Sequence, residues 1–222
     1  MKFKKEFDNL SKEQKGNILK QYELEVLYAD IIRQSSDPLE RGKLYYKLYN
    51  DFFKQLPNHP LVLRSKNKRA LEHRINRTIQ FLHPYINAST KFIEIGAGDC
   101  NLAVRLSNYV EKIVAVDVSE EIMLDYNNTP ENVKLHISND GTSLPSETNY
   151  FNVAYSNQLL EHFHPEDVKK HLSNVNKVLC INGCYLFQTP HKYFGPHDVS
   201  VYFHNKPIGF HLKEYCNYEL YF

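Results

Sequence analysis

The chain has no uninterrupted apolar run near the roughly 20 residues a bilayer-crossing helix needs, so no membrane span is expected. Its opening, Met1 to Leu10, carries charge with no apolar segment behind it, which argues against a secretory signal. Cysteine is scarce. Cys100, Cys180, Cys184 and Cys216 form neither a metal-type pair nor a dense disulfide framework, and a reducing cytoplasm is the simplest compartment. Internal repeats and low-complexity tracts are also missing. There is no overall excess of one charge, at a formal net +1, but residues 1–90 hold 17 Lys and Arg against 10 Asp and Glu while the rest hold 10 against 16. Lys66, Lys68, Arg69, Arg74 and Arg77 concentrate the positive charge. Without interleaved aromatics or a binding motif, they read as a solvated helix face and not as a nucleic-acid site.

What is present is a chain of 222 residues, 42% apolar and 24% charged, enough for one full core with or without an appendage. Ser11 and Gln14 have the form of a capping box, and Leu19, Tyr22, Val26 and Ala29 recur at helical spacing, predicting a helix over about 12–33. Asp37-Pro38 starts a second helix with the stripe Leu44, Leu48 and Phe52, ending before Pro57. Its aromatics Tyr45, Tyr49, Phe52 and Phe53 read as packing, with Tyr46 or Tyr49 able to line an acceptor pocket. Leu71, Ile75, Ile79 and Leu82 define a third. Residues 1–88 are therefore expected to be a helical region, and residues 89–222 a separate domain.

From Lys91 the pattern alternates strands and helices, which predicts an α/β fold with a mainly parallel, doubly wound sheet. Strands are expected at 91–95, 113–117, 133–137, 151–156 and 184–188, the last after an Asn182-Gly183 turn. Helices are expected to carry Leu102, Leu106 and Tyr109, to run from Ser119 through Tyr126, and to open at Pro165 with Val168, Leu172, Val175 and Leu179 on the apolar face. In such sheets ligands bind beyond the carboxyl ends of the strands.

The first strand-turn-helix-strand unit, Lys91 to Ser119, has the parts an adenosine-type ligand requires. Gly96 and Gly98 allow a sharp turn close to a ligand, the next helix starts there, and Asp117, 23 positions after Glu94, ends the second strand where it can accept ribose hydroxyls. A dinucleotide fingerprint would need glycine where Asn101 stands, so a nicotinamide-dependent oxidoreductase is disfavoured. The run Glu94-Ile95-Gly96-Ala97-Gly98-Asp99-Cys100 instead resembles the first motif of class I S-adenosylmethionine-dependent methyltransferases, acid-x-G-x-G-x-G, with Cys100 in place of the last glycine. Asn139-Asp140-Gly141, the segment Phe151 to Asn157 followed by Leu160-Glu161-His162, and Lys177 to Gly183 extend the resemblance over about residues 90–200. It implies S-adenosylmethionine as cofactor, held by Glu94, Gly96, Ala97, Gly98, Asp117, Val118, Asp140, Gly141 and Asn157. It also implies methyl transfer to an oxygen or nitrogen acceptor on a small molecule or glycan precursor.

The sulfonium is already an activated methyl donor, so the protein must align the acceptor and take its proton. His162, His191 and His197 lie in the predicted loops and are the candidate bases, with His191 and His197 preferred because the segment Thr189 to Asp198 should face the acceptor. Glu161, His162, His164, His191, His197 and Asp198 form a rival metal set, but their spacing matches no recognised ligand pattern, and no metal is expected. His204 and His211 read as surface or packing residues. Cys216 to Leu220 looks like the start of a further helix, after which the family's last two strands are expected and not found. That predicts a shortened product whose fifth strand is exposed, inviting a homo- or hetero-oligomeric partner. It also keeps open a non-catalytic binding or scaffolding module.

Overall fold

The computed structural model describes residues 1–63, 68–123, 129–145 and 148–220. Lys66 of the basic run, and Tyr126 at the end of the helix expected from Ser119, lie outside the described residues. Helices are α1 (Lys12–Gln34), α2 (Pro38–Gln55), α3 (Pro60–Leu63), α4 (Lys68–Leu82), α5 (Asn101–Leu106) and α6 (Pro165–Val178). Strands are β1 (Lys91–Ile95), β2 (Lys112–Asp117), β3 (Val133–Ile137), β4 (Phe151–Asn157) and β5 (Leu179–Gln188). Internal contacts group the chain into two compact units: Gly42–Asn157 with Lys170–Phe187, and Met1–Arg41 with Gln158–Lys169 and Gln188–Phe222.

The larger unit holds the sheet, ordered β3-β2-β1-β4-β5. β1 pairs in parallel with both β2 and β4, and β2 with β3. Every residue of β1 after Lys91 is buried, as a central parallel strand requires, and Phe92, Ile113, Val133, Leu135, Val153 and Tyr155 pack with Leu82, Ala103 and Leu106. The chain order reverses between β1 and β4, so the carboxyl ends of β1 and β2 carry the loops where this topology places ligands. α5 is shorter than the apolar spacing suggested. It ends at Leu106, and Tyr109 sits 46% exposed in the following turn. β5 is longer, because Asn182 takes a left-handed φ of 64° inside the strand and does not end it. β5 lies at one edge of the sheet, with Ile181 87% exposed.

In the smaller unit, α1 begins at the expected capping box, where Ser11 Oγ accepts from Gln14 N and Gln14 Oε1 from Ser11 N. Its buried face, Tyr22, Tyr28, Ala29 and Ile32, packs on the carboxyl-terminal segment, with Tyr22 against Phe203 at 4.5 Å between ring centroids. Arg33 ties the same helix to the carbonyls of Ile208, Gly209 and His211. Glu25 is buried beneath it, accepts from Gln21 and from the Phe210 amide, and burial pushes its carboxyl up to about 7. Among the described residues, no helix is long and apolar enough to cross a membrane.

Candidate functional site

The predicted cofactor residues lie in or beside the carboxyl ends of β1, β2 and β3, except Asn157, which ends β4. Gly96 (φ 73°) and Gly98 (φ 55°) turn the chain after β1 through the left-handed region, and the amides of Gly96 and Ala97 both donate to the Val116 carbonyl, locking this turn onto the end of β2. The Gly98 amide donates to Asp117 Oδ2 at 2.7 Å and the Ser119 amide to Oδ1 at 3.0 Å. Asp117 is only 9% exposed. Burial raises its pKa against the opposing pull of the amides of Ser119, Gly98 and Val118. Each carboxylate oxygen has two lone pairs, so this arrangement orients the acid while leaving acceptor capacity for a further donor.

Cys100, where the motif has its last glycine, sits at φ 55° and is fully buried. The left-handed backbone costs a non-glycine residue roughly 1–2 kcal/mol, which explains why glycine suits the position. The thiol offsets part of that cost by packing in the sheet core and donating to the Gly98 carbonyl at 3.6 Å. Cys100→Gly therefore exchanges strain for lost packing and is expected to change stability by less than about 1 kcal/mol. Cys100→Val, branched at Cβ in the same backbone, should lose at least about 2 kcal/mol. Urea denaturation of the two variants checks the contrast.

Glu94 is 6% exposed, and its Oε2 has no hydrogen-bond partner. Burial, then the nearby Asp99 and Asp117, push it up to about 8 against the attraction of Arg74. Asp140 behaves differently. Its Oδ1 accepts from the amides of Thr142 (3.0 Å) and Ser143 (2.6 Å), its Oδ2 accepts from Ser143 Oγ (2.7 Å), and Lys170 lies 3.7 Å away. Burial raises its pKa, but the Ser143 and Thr142 hydrogen bonds and Lys170 outweigh it and hold the group low. Gly141 (φ 64°) follows, Val118 is half-buried, and Asn157 is exposed at the end of β4.

Sequence reasoning missed how α2 fixes these loops. Asn50 Nδ2 donates to the Val118 carbonyl, and its Oδ1 accepts from the Glu120 amide and Ser119 Oγ. Tyr46, read as an acceptor-pocket candidate, donates its hydroxyl to Glu120. A Cβ on Gly42 would lie 2.9 Å from the Asp140 Cβ, and one on Gly141 3.1 Å from Tyr45, so α2 and the β3 loop touch backbone to side chain. A buried amide with both ends engaged was visible as Asn50 in a helical stripe, but nothing in the spacing named its partners. Asn50→Ala should lower stability by about 1–3 kcal/mol by leaving buried polar groups unpaired. Thermal denaturation reads it.

The three candidate histidines belong to the smaller unit and differ in state. His197 is 34% exposed at its side chain, and its Nδ1 lies 3.2 Å from Glu214 Oε2, while Oε1 accepts from the His197 amide at 2.7 Å. An ionised carboxylate only accepts, so His197 Nδ1 carries the proton and Nε2 the lone pair. His191 Nδ1 accepts from the Tyr193 amide at 3.4 Å, which puts the proton on Nε2. Loss of solvent, then neighbouring His211, push His162 down to about 3, so it stays neutral near pH 7 and its conjugate acid is too strong for a proton acceptor there.

His211 is a correction. Read as a surface or packing residue, it is 6% exposed and bonds Glu214 Oε1 through Nδ1 at 2.8 Å. Burial lowers its pKa, but Glu214 and the nearby acids raise it overall. The same bonds to His211 and His197 hold Glu214 below its ordinary value despite burial. His204 shares a 2.8 Å hydrogen bond with Tyr22.

The profile of the family described as "Methyltransferase domain" matches residues 93–187, which span β1 to β5. Residues 93–187 thus match a methyltransferase domain, and the five-stranded sheet has the Rossmann-like methyltransferase fold. Among solved structures, the chain is similar in fold to phosphoethanolamine N-methyltransferase 1 of Haemonchus contortus, at 14% identity and TM-score 0.58, over 80% of this chain and 38% of that one. YcgJ of Bacillus subtilis matches at 24% identity and TM-score 0.46, over 59% of this chain and 54% of that one. An S-adenosylmethionine-dependent methyltransferase from Mesorhizobium loti matches at 19% and 0.46, over 53% and 54%. The chain thus spans about half the length of the first solved structures it matches. No curated protein matches it.

Proposed function

We propose that the chain transfers the methyl group of S-adenosylmethionine to an oxygen or nitrogen acceptor on a small molecule or glycan precursor. The observation that supports this most directly is Asp117, fixed at the end of β2 by the amides of Gly98 and Ser119 beside a doubly left-handed glycine turn. An acid oriented this way suits a ribose diol, since its remaining lone pairs accept hydroxyl protons. In this reading the backbone of Gly96, Ala97 and Gly98 flanks the cofactor, Asp140 accepts from the adenine amino group beside the backbone of Gly141, and Val118 and Asn157 complete the contacts. Glu94 acts from beneath the turn.

The cofactor supplies the activated methyl, which leaves acceptor alignment and proton removal to the chain. Of the three histidines His197 is best suited. Glu214 holds its Nδ1 proton and steadies the imidazolium that forms when Nε2 takes the acceptor proton. His191 has the opposite tautomer, and His162 is too weak a base.

Two variants separate the roles. Asp117→Ala should weaken S-adenosylhomocysteine binding by roughly ten- to a hundred-fold, the loss of about 1.5–3 kcal/mol of charged hydrogen bonding, measured by calorimetry on folded protein. Unchanged affinity would remove the ribose assignment. His197→Ala should leave that affinity intact and lower transfer of a labelled methyl group to a responsive acceptor by about 10²–10⁴-fold. A rate equal to that of the unmodified chain would withdraw His197 as base.

A further inference from the structure

Within the smaller unit, Glu161, His162 and His211 each present a ligand atom, and these atoms all lie within 4.8 Å of one another. Glu161 and His162 sit on the short helix Leu160–His162, and the Lys213 amide donates to the Glu161 carbonyl, binding the His211 segment to it. We propose that these three side chains form a binding site for a divalent first-row transition metal ion, with zinc as the reference ion.

Four observations carry it. First, Glu161 is fully buried, Thr189 donates to its Oε2 at 2.9 Å, and its Oε1 is buried with no hydrogen-bond partner. A buried carboxylate oxygen without a donor costs about 1–3 kcal/mol when ionised, a cost that either a proton or a bound cation removes, and here two imidazoles stand beside it. Second, the His211 Nδ1 proton is held by Glu214 Oε1 at 2.8 Å, which fixes the tautomer and turns the Nε2 lone pair to ligation, the carboxylate–histidine arrangement common behind metal ligands. Third, His162 is likewise anchored, by a hydrogen bond to the Phe210 backbone, and its ring stands edge-on to that of His211 with centroids 4.9 Å apart. Fourth, two imidazoles and one carboxylate match the three-ligand sets that leave a coordination position open, and imidazole favours ions of the zinc, iron and nickel class over magnesium or calcium. Ligands on a tetrahedral ion with bonds of about 2.0–2.1 Å stand roughly 3.3 Å apart, so closing the set needs side-chain movements of about 1 Å.

The set differs from the one the sequence suggested. His164 lies 3.8 Å from Glu166, His191 bonds the Tyr193 amide, His197 bonds Glu214, and Asp198 accepts from the amides of Ser200 and Gly209. Only Glu161 and His162 are common to both, and His211 joins them.

The test titrates the chelator-treated full chain with Zn²⁺ by calorimetry and with Co²⁺ by visible absorption, with Mg²⁺ for comparison. Expected are one equivalent of Zn²⁺ bound, a Co²⁺ ligand-field band with no thiolate charge-transfer band, and much weaker Mg²⁺ binding. Glu161→Gln and His211→Gln should each weaken Zn²⁺ by about a hundred-fold or more, Glu214→Gln by roughly 10- to 100-fold, and the exposed His73→Gln not at all. Circular dichroism identifies folded variants. If Glu161→Gln does not fold, Glu214→Gln carries the test through the Co²⁺ spectrum. No stoichiometric ion on folded protein, or binding that survives the Glu161, His211 and Glu214 substitutions unchanged, overturns the proposal.

Discussion

Replacing Arg41 with alanine is expected to destabilise the unit that holds it by about 3–5 kcal/mol, enough to unfold a marginal domain. Arg41 is fully buried. Its Nε and Nη2 donate in parallel to Asp167 Oδ2 (2.9 Å) and Oδ1 (2.8 Å), its Nη1 donates to the Ser35 carbonyl (2.7 Å), and Nη2 also reaches Glu166 (3.0 Å). Removing the guanidinium takes from Asp167, itself 3% exposed and in the first turn of α6, the cation that both its oxygens accept from. Coulombic attraction between two exposed partners would contribute under about 1 kcal/mol. Here the penalty comes from the buried carboxylate that loses its cation, so its size is set by desolvation and not by the pair's own strength. Two controls follow. Arg41→Lys should recover little, because a point charge cannot donate to both oxygens in the fork geometry. Arg41→Ala with Asp167→Ala should be less destabilised than the sum of the single changes. Urea denaturation of the four proteins gives the double-mutant cycle, and additive losses would show that the two side chains act independently.

Glu94 should make stability fall as pH rises between about 4.3, the carboxyl's ordinary value, and about 8, its value in the fold. Across that window the folded state holds a proton that the unfolded state has released, so each added pH unit favours unfolding. The stabilisation is fully present below the lower value and lost once pH passes the upper one. A displacement of this size corresponds to several kcal/mol, at about 1.4 kcal/mol per unit. Glu94→Gln keeps the shape and removes the titration. It should flatten this part of the pH profile and leave the variant more stable than the parent near pH 8, read from denaturation midpoints over the range. An unchanged slope in the variant would mean that Glu94 is ionised throughout. The unpartnered Oε2 makes the neutral form the natural resting state, with Tyr155 as its register partner on β4, its own hydroxyl pushed up to about 12 by burial and then by Glu94.

Much of this was legible in the residues. Ser11 with Gln14, and Pro38 after Asp37, announce helix starts through local chemistry, and the apolar runs at Phe92 and Ile113 mark buried parallel strands by their continuity. The turn at Gly96 and Gly98 and the acid Asp117 were readable because spacing alone brings them to one end of the sheet. What could not be read depends on contacts between distant segments. Arg41 and Asp167 are 126 positions apart, and the Asn50 clamp on the loop after β2 spans about 70. His211 looked like packing because its importance comes from Glu161 and Glu214, of which only the second is near it in sequence. Asn182 misled in another way. Asn182-Gly183 reads as a turn before the strand, but a left-handed residue can sit inside a strand, as Asn182 does.

The most direct measurement is calorimetric titration of the purified chain with S-adenosylhomocysteine, with NAD as comparison. Micromolar or tighter binding of S-adenosylhomocysteine and none of NAD is expected, because the Gly98 and Ser119 amides orient Asp117 with acceptor capacity to spare, while Asn101 stands where a dinucleotide fingerprint needs glycine. Folded protein that binds neither ligand, or that prefers NAD, would contradict it.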